Sequence, residues 1–234
     1  MLQRIKQLFE KGVLSNNQLK LVGIITMTID HIGAYLLPQY EMLRIIGRLA
    51  FPIFAYMIAE GCAYTKNRRK YLGTLCLVAF LYQTVYFVLS KSLYMGIFVT
   101  FSLSVAFIYV MDYVKKKKGL FGIIFLFAAL VVIAFTTDYL PRIIYGFSVD
   151  YGFAGVMLPA LVYSVKTKRD KLFMLFLGLV LLAVACGGVQ WYSLFALPLI
   201  ALYNQKRGKI KMKSFFYIYY PLHLVAIYGI DLLV

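Results

Sequence analysis

The sequence predicts an all-α, polytopic transmembrane helical bundle with its N-terminus on the cytoplasmic side. Three observations predict it. Of the 234 residues, 62% are hydrophobic, and mean hydropathy is +0.80; a soluble domain is about 45–50% apolar. A water-soluble fold of this size could not hide so much apolar surface, whereas lipid removes that constraint. The apolar residues gather into about nine segments, and the basic residues gather between them on alternate turns of the chain.

In order, the segments run roughly 19–38, 43–64, 70–90, 94–113, 119–136, 151–166, 171–187, 189–204 and 213–232. A helix rising 1.5 Å per residue needs about 20 residues to cross ~30 Å of hydrocarbon. The seventh and eighth segments are short and share the link Cys186-Gly187-Gly188. They read as two spans or as one re-entrant hairpin, so nine is the leading count within a range of eight to ten. Residues 1–18 form a cytoplasmic or interfacial arm, and 19–234 form one transmembrane domain. In the arm, Leu2, Ile5, Leu8 and Phe9 keep helical spacing among basic residues, which suits an interfacial amphipathic helix. The first apolar run lacks a small-x-small site, so no cleavable signal peptide is expected.

Direction follows from the cations. Arg4, Lys6, Lys11 and Lys20 lie in or near the arm. Later clusters are Lys66, Arg68, Arg69 and Lys70; Lys115 to Lys118; Lys166, Lys168, Arg169 and Lys171; and Lys206, Arg207, Lys209, Lys211 and Lys213. Together these are 21 of the 25 Lys and Arg, all on one side under the nine-span count. The formal charge of +16 is then explained by loops held against anionic lipid, with the bilayer as partner and no nucleic acid. The expected location is the cell (cytoplasmic or inner) membrane. Cys62, Cys76 and Cys186 sit in apolar runs without CxxC spacing and read as small hydrophobes, with no metal expected.

Ionisable groups at membrane depth are costly and therefore informative. The chain has two histidines, both inside predicted spans. His31 lies in Thr26-Met27-Thr28-Ile29-Asp30-His31-Ile32-Gly33, and the next span carries Arg44 and Arg48 on one helical face. The link between them turns at Pro38 to Tyr40. Folding the helices back about that turn brings Asp30, His31 and Arg48 to one depth, about 12 Å below the outer end. Asp30 and His31 point ~100° apart, so pairing of Asp30 with an arginine is the easier geometry. Such a cluster suits acyl transfer: a neutral imidazole takes a proton, a carboxylate orients it, and an arginine stabilises an oxyanion. A buried polar network locking two helices fits the same spacing equally well.

His223 lies beside Pro221, about 15 Å from the cytoplasmic face. It reads as a site residue or as one bonded to a carbonyl that the proline frees. Glu60, twelve residues past Arg48, lines a cytoplasmic vestibule or sits at the interface. Asp150, in Asp150-Tyr151-Gly152, opens the sixth segment, where a helix cap is the plainer role. Trp191 and many of the twenty tyrosines suit interfacial belts.

These residues also carry a resemblance. Leu19-Lys20 through Thr26-Met27, Ile29 to Gly33, Arg44 to Ala55, and Ile58-Ala59-Glu60-Gly61 resemble the TraX family. Later blocks agree: Asp150-Tyr151-Gly152 with Gly155, Ala196-Leu197-Pro198, Tyr203-Asn204 with Lys206-Arg207-Gly208, and Phe215 through His223-Leu224. The resemblance covers residues ~19 to 225. It implies an acetyl-CoA-dependent membrane acyltransferase, similar to the acyltransferase 3 proteins and associated with N-terminal acetylation of pilin. By motif match it implies catalytic roles for His31, Asp30 and Arg48. Arg44, Glu60, Asp150, Tyr151 and His223 are the expected substrate-binding residues. Lys66, Arg68, Arg69, Asn204, Lys206 and Arg207 are expected to meet acetyl-CoA, although the positive-inside rule explains their cations as well. The chain departs from the family pattern at Gly96 and Gln205, where asparagine and glycine are expected. The acceptor, whether peptide, glycan or small molecule, is left open. The competing readings are a proton-coupled transporter and a non-catalytic membrane scaffold. The missing internal repeat disfavours the transporter.

Overall fold

A computed structural model describes residues 12–208, 212–231 and 233 of the chain. The amphipathic arm expected around Leu2 to Phe9 lies outside the described residues. Within them the chain is overwhelmingly helical, and all nine apolar segments contain helix. The helices are α1 (Asn16–Tyr35), α2 (Glu41–Gly47), α3 (Ala50–Tyr64), α4 (Arg68–Ser90) and α5 (Ile97–Lys117). They continue with α6 (Leu120–Ala134), α7 (Leu140–Ile143), α8 (Gly152–Ser164), α9 (Lys168–Cys186), α10 (Ala196–Ala201) and α11 (Lys213–Asp231). A π-helical turn (Phe135–Tyr139) joins α6 to α7, and a 3-10 segment (Gly188–Phe195) precedes α10. Two short strands, β1 (Tyr94–Met95) and β2 (Ser148–Val149), pair in parallel.

Among the described residues, four stretches are long and apolar enough to cross a membrane: Glu41–Tyr64, Arg68–Ser90, Ile97–Lys117 and Leu120–Ile143. Their outward faces are apolar, as lipid requires: Leu120, Phe121, Ile123 and Phe127 on α6 and Leu77 and Phe80 on α4 are exposed. The sixth and eighth segments are shorter as helix than as sequence, at Gly152–Ser164 and Gly188–Ala201. Positive φ at Tyr151 and Gly152 delays the start of the former. Positive φ at Gly187 and Gly188 ends α9 and launches the 3-10 segment.

The chain forms two compact units. One comprises Met1–Met57 and Leu175–Val234, the other Ile58–Met174. In the first, α1 starts with a capping box. The Gln18 N–H donates to Ser15 Oγ at 3.4 Å, and the Ser15 N–H donates to Gln18 Oε1 at 2.9 Å. Helix α1 packs on α2 at close range because glycines line the contact. A Cβ on Gly33 would strike Leu43, and one on Gly47 would overlap the Asp30 carboxylate. The helix breaks at Arg48 and Leu49. The cause is Pro52, which has no N–H for the Arg48 carbonyl and whose ring crowds it.

In the second unit, Gln83 of α4 clamps the turn around β1. It donates to the Tyr94 carbonyl at 2.7 Å and accepts from the Gly96 N–H at 3.2 Å. Gly96 itself lies so near the Tyr82 ring that a Cβ would collide with it. A larger residue here, such as the expected asparagine, would displace Tyr82.

Candidate functional site

The site is built in the first unit, where α1, α2, the 3-10 segment and α11 each contribute polar side chains to an apolar surround. Asp30 on α1 takes one arginine on each carboxylate oxygen. Arg44 Nη1 donates to Oδ2 at 2.7 Å, and Arg48 Nη2 donates to Oδ1 at 2.5 Å. Arg44 also reaches the Asp30 carbonyl at 3.1 Å. The register inferred from the Pro38–Tyr40 turn therefore holds, and Asp30 pairs with an arginine of the second span as expected, taking two where one was foreseen. Two guanidinium groups sharing one carboxylate leave this trio with a net positive charge. Arg48 Nη1 makes a further, long contact of 3.4 Å to Oε1 of Gln190 in the 3-10 segment.

His31 turns to a different partner. Its Nδ1 lies 2.7 Å from Nε2 of His223 on α11, with the two rings nearly parallel at 15°. One turn earlier on α11, Tyr219 stacks on His223 and its hydroxyl lies 2.9 Å from Thr28 Oγ1. His223 Nδ1 lies 3.1 Å from the Tyr219 carbonyl. A carbonyl can only accept, so the proton of His223 sits on Nδ1. With both rings neutral, Nε2 of His223 is then an acceptor and His31 Nδ1–H donates to it. The lone pair of His31 is thereby assigned to Nε2, which has no hydrogen-bond partner among the described residues. His223 thus meets a carbonyl, but that of Tyr219 in a helix that continues through Pro221, and not one freed by the proline as expected.

The remaining expected residues lie elsewhere. Glu60 is buried at 2% exposure in the second unit, where Lys171 Nζ reaches its Oε1 at 2.5 Å. Lys171 is only 8% exposed, so it departs from the expectation of a loop cation held against lipid. A buried carboxylate recruits the nearest cation, because either charge alone at that depth is costly. Arg68 is held by Asp112 at 2.5 Å and lies over the Tyr109 ring. Tyr163 donates to the same Asp112 oxygen at 2.6 Å. Lys66 and Arg69 are exposed beside it in sequence.

Lys206 and Arg207 are exposed in the first unit. Asn204 shapes their loop: its Oδ1 accepts from the Lys206 N–H at 2.9 Å, and its own N–H donates to the Leu14 carbonyl. Asp150 spends its backbone on packing, donating to the Met95 carbonyl and accepting from Thr100 Oγ1 at 2.8 Å. The N-cap position of α8 is Tyr151, in the left-handed region and without a side-chain cap, so Asp150 does not occupy the capping position expected of it. Gln190, Tyr219 and Lys171 were not singled out from sequence. A polar residue inside the apolar run 189–204 was the available signal for Gln190.

Apolar helices of membrane-crossing length, with paired histidines and a carboxylate–arginine cluster on neighbouring helices, define a helical membrane protein with a polar site. The chain belongs to the TraX family: the family model described as TraX protein matches residues 15–231. Over 73 residues it is 37% identical to the probable fimbrial assembly protein FimC, serogroup H1, of Dichelobacter nodosus, covering 30% of each chain. Over 38 residues it is 55% identical to an uncharacterized protein of Rickettsia prowazekii (strain Madrid E), covering 16% of this chain and 15% of that one. These matches thus span less than a third of either relative. No solved structure matches the chain.

Proposed function

We propose that the protein is a multi-pass acetyltransferase of the cell membrane, moving an acetyl group from cytoplasmic acetyl-CoA to an amine or hydroxyl. The observation that carries this reading is the lone pair left on His31 Nε2 by the chain from the Tyr219 carbonyl through His223. A base whose tautomer is set by its neighbours is what proton removal from an incoming nucleophile needs. Asp30 fixes the neighbouring arginines, whose positive field suits a developing oxyanion. Taken unit by unit, the exposed cations Lys206 and Arg207 of the first and Lys66 and Arg69 of the second each suit a CoA phosphate. Arg68 is the weakest member of that set, since Asp112 already occupies it.

About nine spans with the N-terminus inside follow from the cation distribution. Single cysteines placed at Lys117 and Lys91 should label from opposite faces, and labelling from one face would overturn that topology. The fimbrial name of the Dichelobacter nodosus relative makes a peptide amine the first acceptor to assay. Purified protein in lipid nanodiscs, given radiolabelled acetyl-CoA and a panel of peptide, glycan and small-molecule acceptors, tests the activity. Label transfer or hydrolysis above the level of lipid alone is the expected result. Absence of both, with substrate uptake by proteoliposomes, would replace the enzyme reading with a transporter.

A further inference from the structure

Two buried polar atoms in the first unit lack a hydrogen-bond partner among the described residues: Nε2 of Gln190 and Oγ of Ser193. The residues are 3% and 0% exposed. Unmet buried polar atoms are rare in folded proteins, so two on one short segment mark a place where another group arrives.

Chemistry orients both of them. Arg48 carries only donors, so the Gln190 atom facing it must be the carbonyl Oε1, and the amide N–H bonds point away unmet. Gln190 and Ser193 are three residues apart in a 3-10 helix, where positions i and i+3 eclipse. Both donors therefore issue from one face of the segment, the face that meets Arg48. The trio of Asp30, Arg44 and Arg48 adds a net positive field. The missing group is thus an acceptor bearing negative charge. Arg44 and Arg48 act electrostatically on the His31 ring, so the donors beside Arg48 neighbour the proposed base.

We infer that Gln190 Nε2 and Ser193 Oγ form, beside Arg48, an oxyanion-binding site for the carbonyl oxygen of the transferred acyl group. This rests on the acyl-transfer reading. As the acceptor nitrogen or oxygen bonds to the acyl carbon, the carbonyl π pair moves onto oxygen, where the two donors meet it. His31 Nε2 holds the proton taken from the acceptor. Return of the pair re-forms the carbonyl and breaks the carbon–sulfur bond, and the CoA sulfur leaves with the electron pair and takes that proton.

The test uses two inert CoA thioethers that differ in one oxygen: S-acetonyl-CoA, a ketone, and S-propyl-CoA, which has no carbonyl. The wild-type protein should bind the ketone about tenfold more tightly, the effect of one or two extra hydrogen bonds. Gln190→Glu keeps an oxygen for Arg48 but removes the amide donor, and Ser193→Ala removes the hydroxyl. Each should abolish the preference while S-propyl-CoA binding persists, and each should lower kcat by about 10²- to 10³-fold. Equal binding of the two analogues by the wild type, or a preference retained in both variants, overturns the oxyanion site and leaves acyl transfer standing. A loss of thermal stability with the preference intact would also overturn it, since the donors would then hold only a structural water. Failure of the wild type to bind either analogue would instead remove the acyl-CoA reading, and this site with it.

Discussion

His31 Nδ1 and His223 Nε2 lie 2.7 Å apart although 192 residues separate them in the chain. The contact fastens α11 to α1 and determines which nitrogen of His31 remains basic. His223 acts through His31 and is a positioning residue. Its replacement by phenylalanine, which cannot accept the His31 proton, should lower kcat about 100-fold, the scale of misplacing a reacting group by an ångström. KM for acetyl-CoA should change little. His223→Gln offers an oxygen to the same N–H and should recover part of the loss. Steady-state kinetics of the two variants check this.

Asp30 is the counter-ion of two arginines. Asp30→Asn removes the charge and leaves both guanidinium groups without a carboxylate, at a cost of about 3–5 kcal/mol. Adding Arg44→Gln restores the original net charge and should return part of that stability, a non-additive outcome. Thermal unfolding in detergent, followed by size-exclusion chromatography, measures both.

Gly47 faces the Asp30 carboxylate with no room for a Cβ. Gly47→Ala should therefore separate α1 from α2, lowering activity and unfolding temperature together. Gly73 on α4 has open space around it. Gly73→Ala should be neutral or stabilising by up to about 1 kcal/mol, as helix propensity dictates.

The buried pair of Glu60 and Lys171 behaves as a unit. Lys171→Met strands a carboxylate that is 2% exposed and whose Oε2 already lacks a hydrogen-bond partner among the described residues. The single change should cost about 3–5 kcal/mol, whereas combining it with Glu60→Leu should restore most of the loss. Unfolding of the single and double variants decides it.

Much of this was legible before any coordinates. Every apolar run contains helix, because length and hydropathy are local properties. The pairing of Asp30 with an arginine of the second span followed from counting residues back from a short turn, whereas its sharing between Arg44 and Arg48 did not. The histidine pair was not legible, since nothing local relates position 31 to position 223. Gln190 was hidden for a different reason: after two glycines with positive φ, the first part of the eighth segment is a 3-10 helix, which changes the residues that share a face. Lys171 was misread because loop cations and buried ion-pair partners have the same residue type at the same helix end.

The most direct measurement is acetyl turnover from radiolabelled acetyl-CoA by His31→Gln beside the wild type, both reconstituted in lipid and of equal thermal stability. Glutamine keeps a donor for His223 but has no titratable nitrogen. If His31 Nε2 is the base, turnover falls by about 10²- to 10⁴-fold. Turnover equal to that of the wild type would contradict the assignment and reduce the histidine pair to a helix fastening.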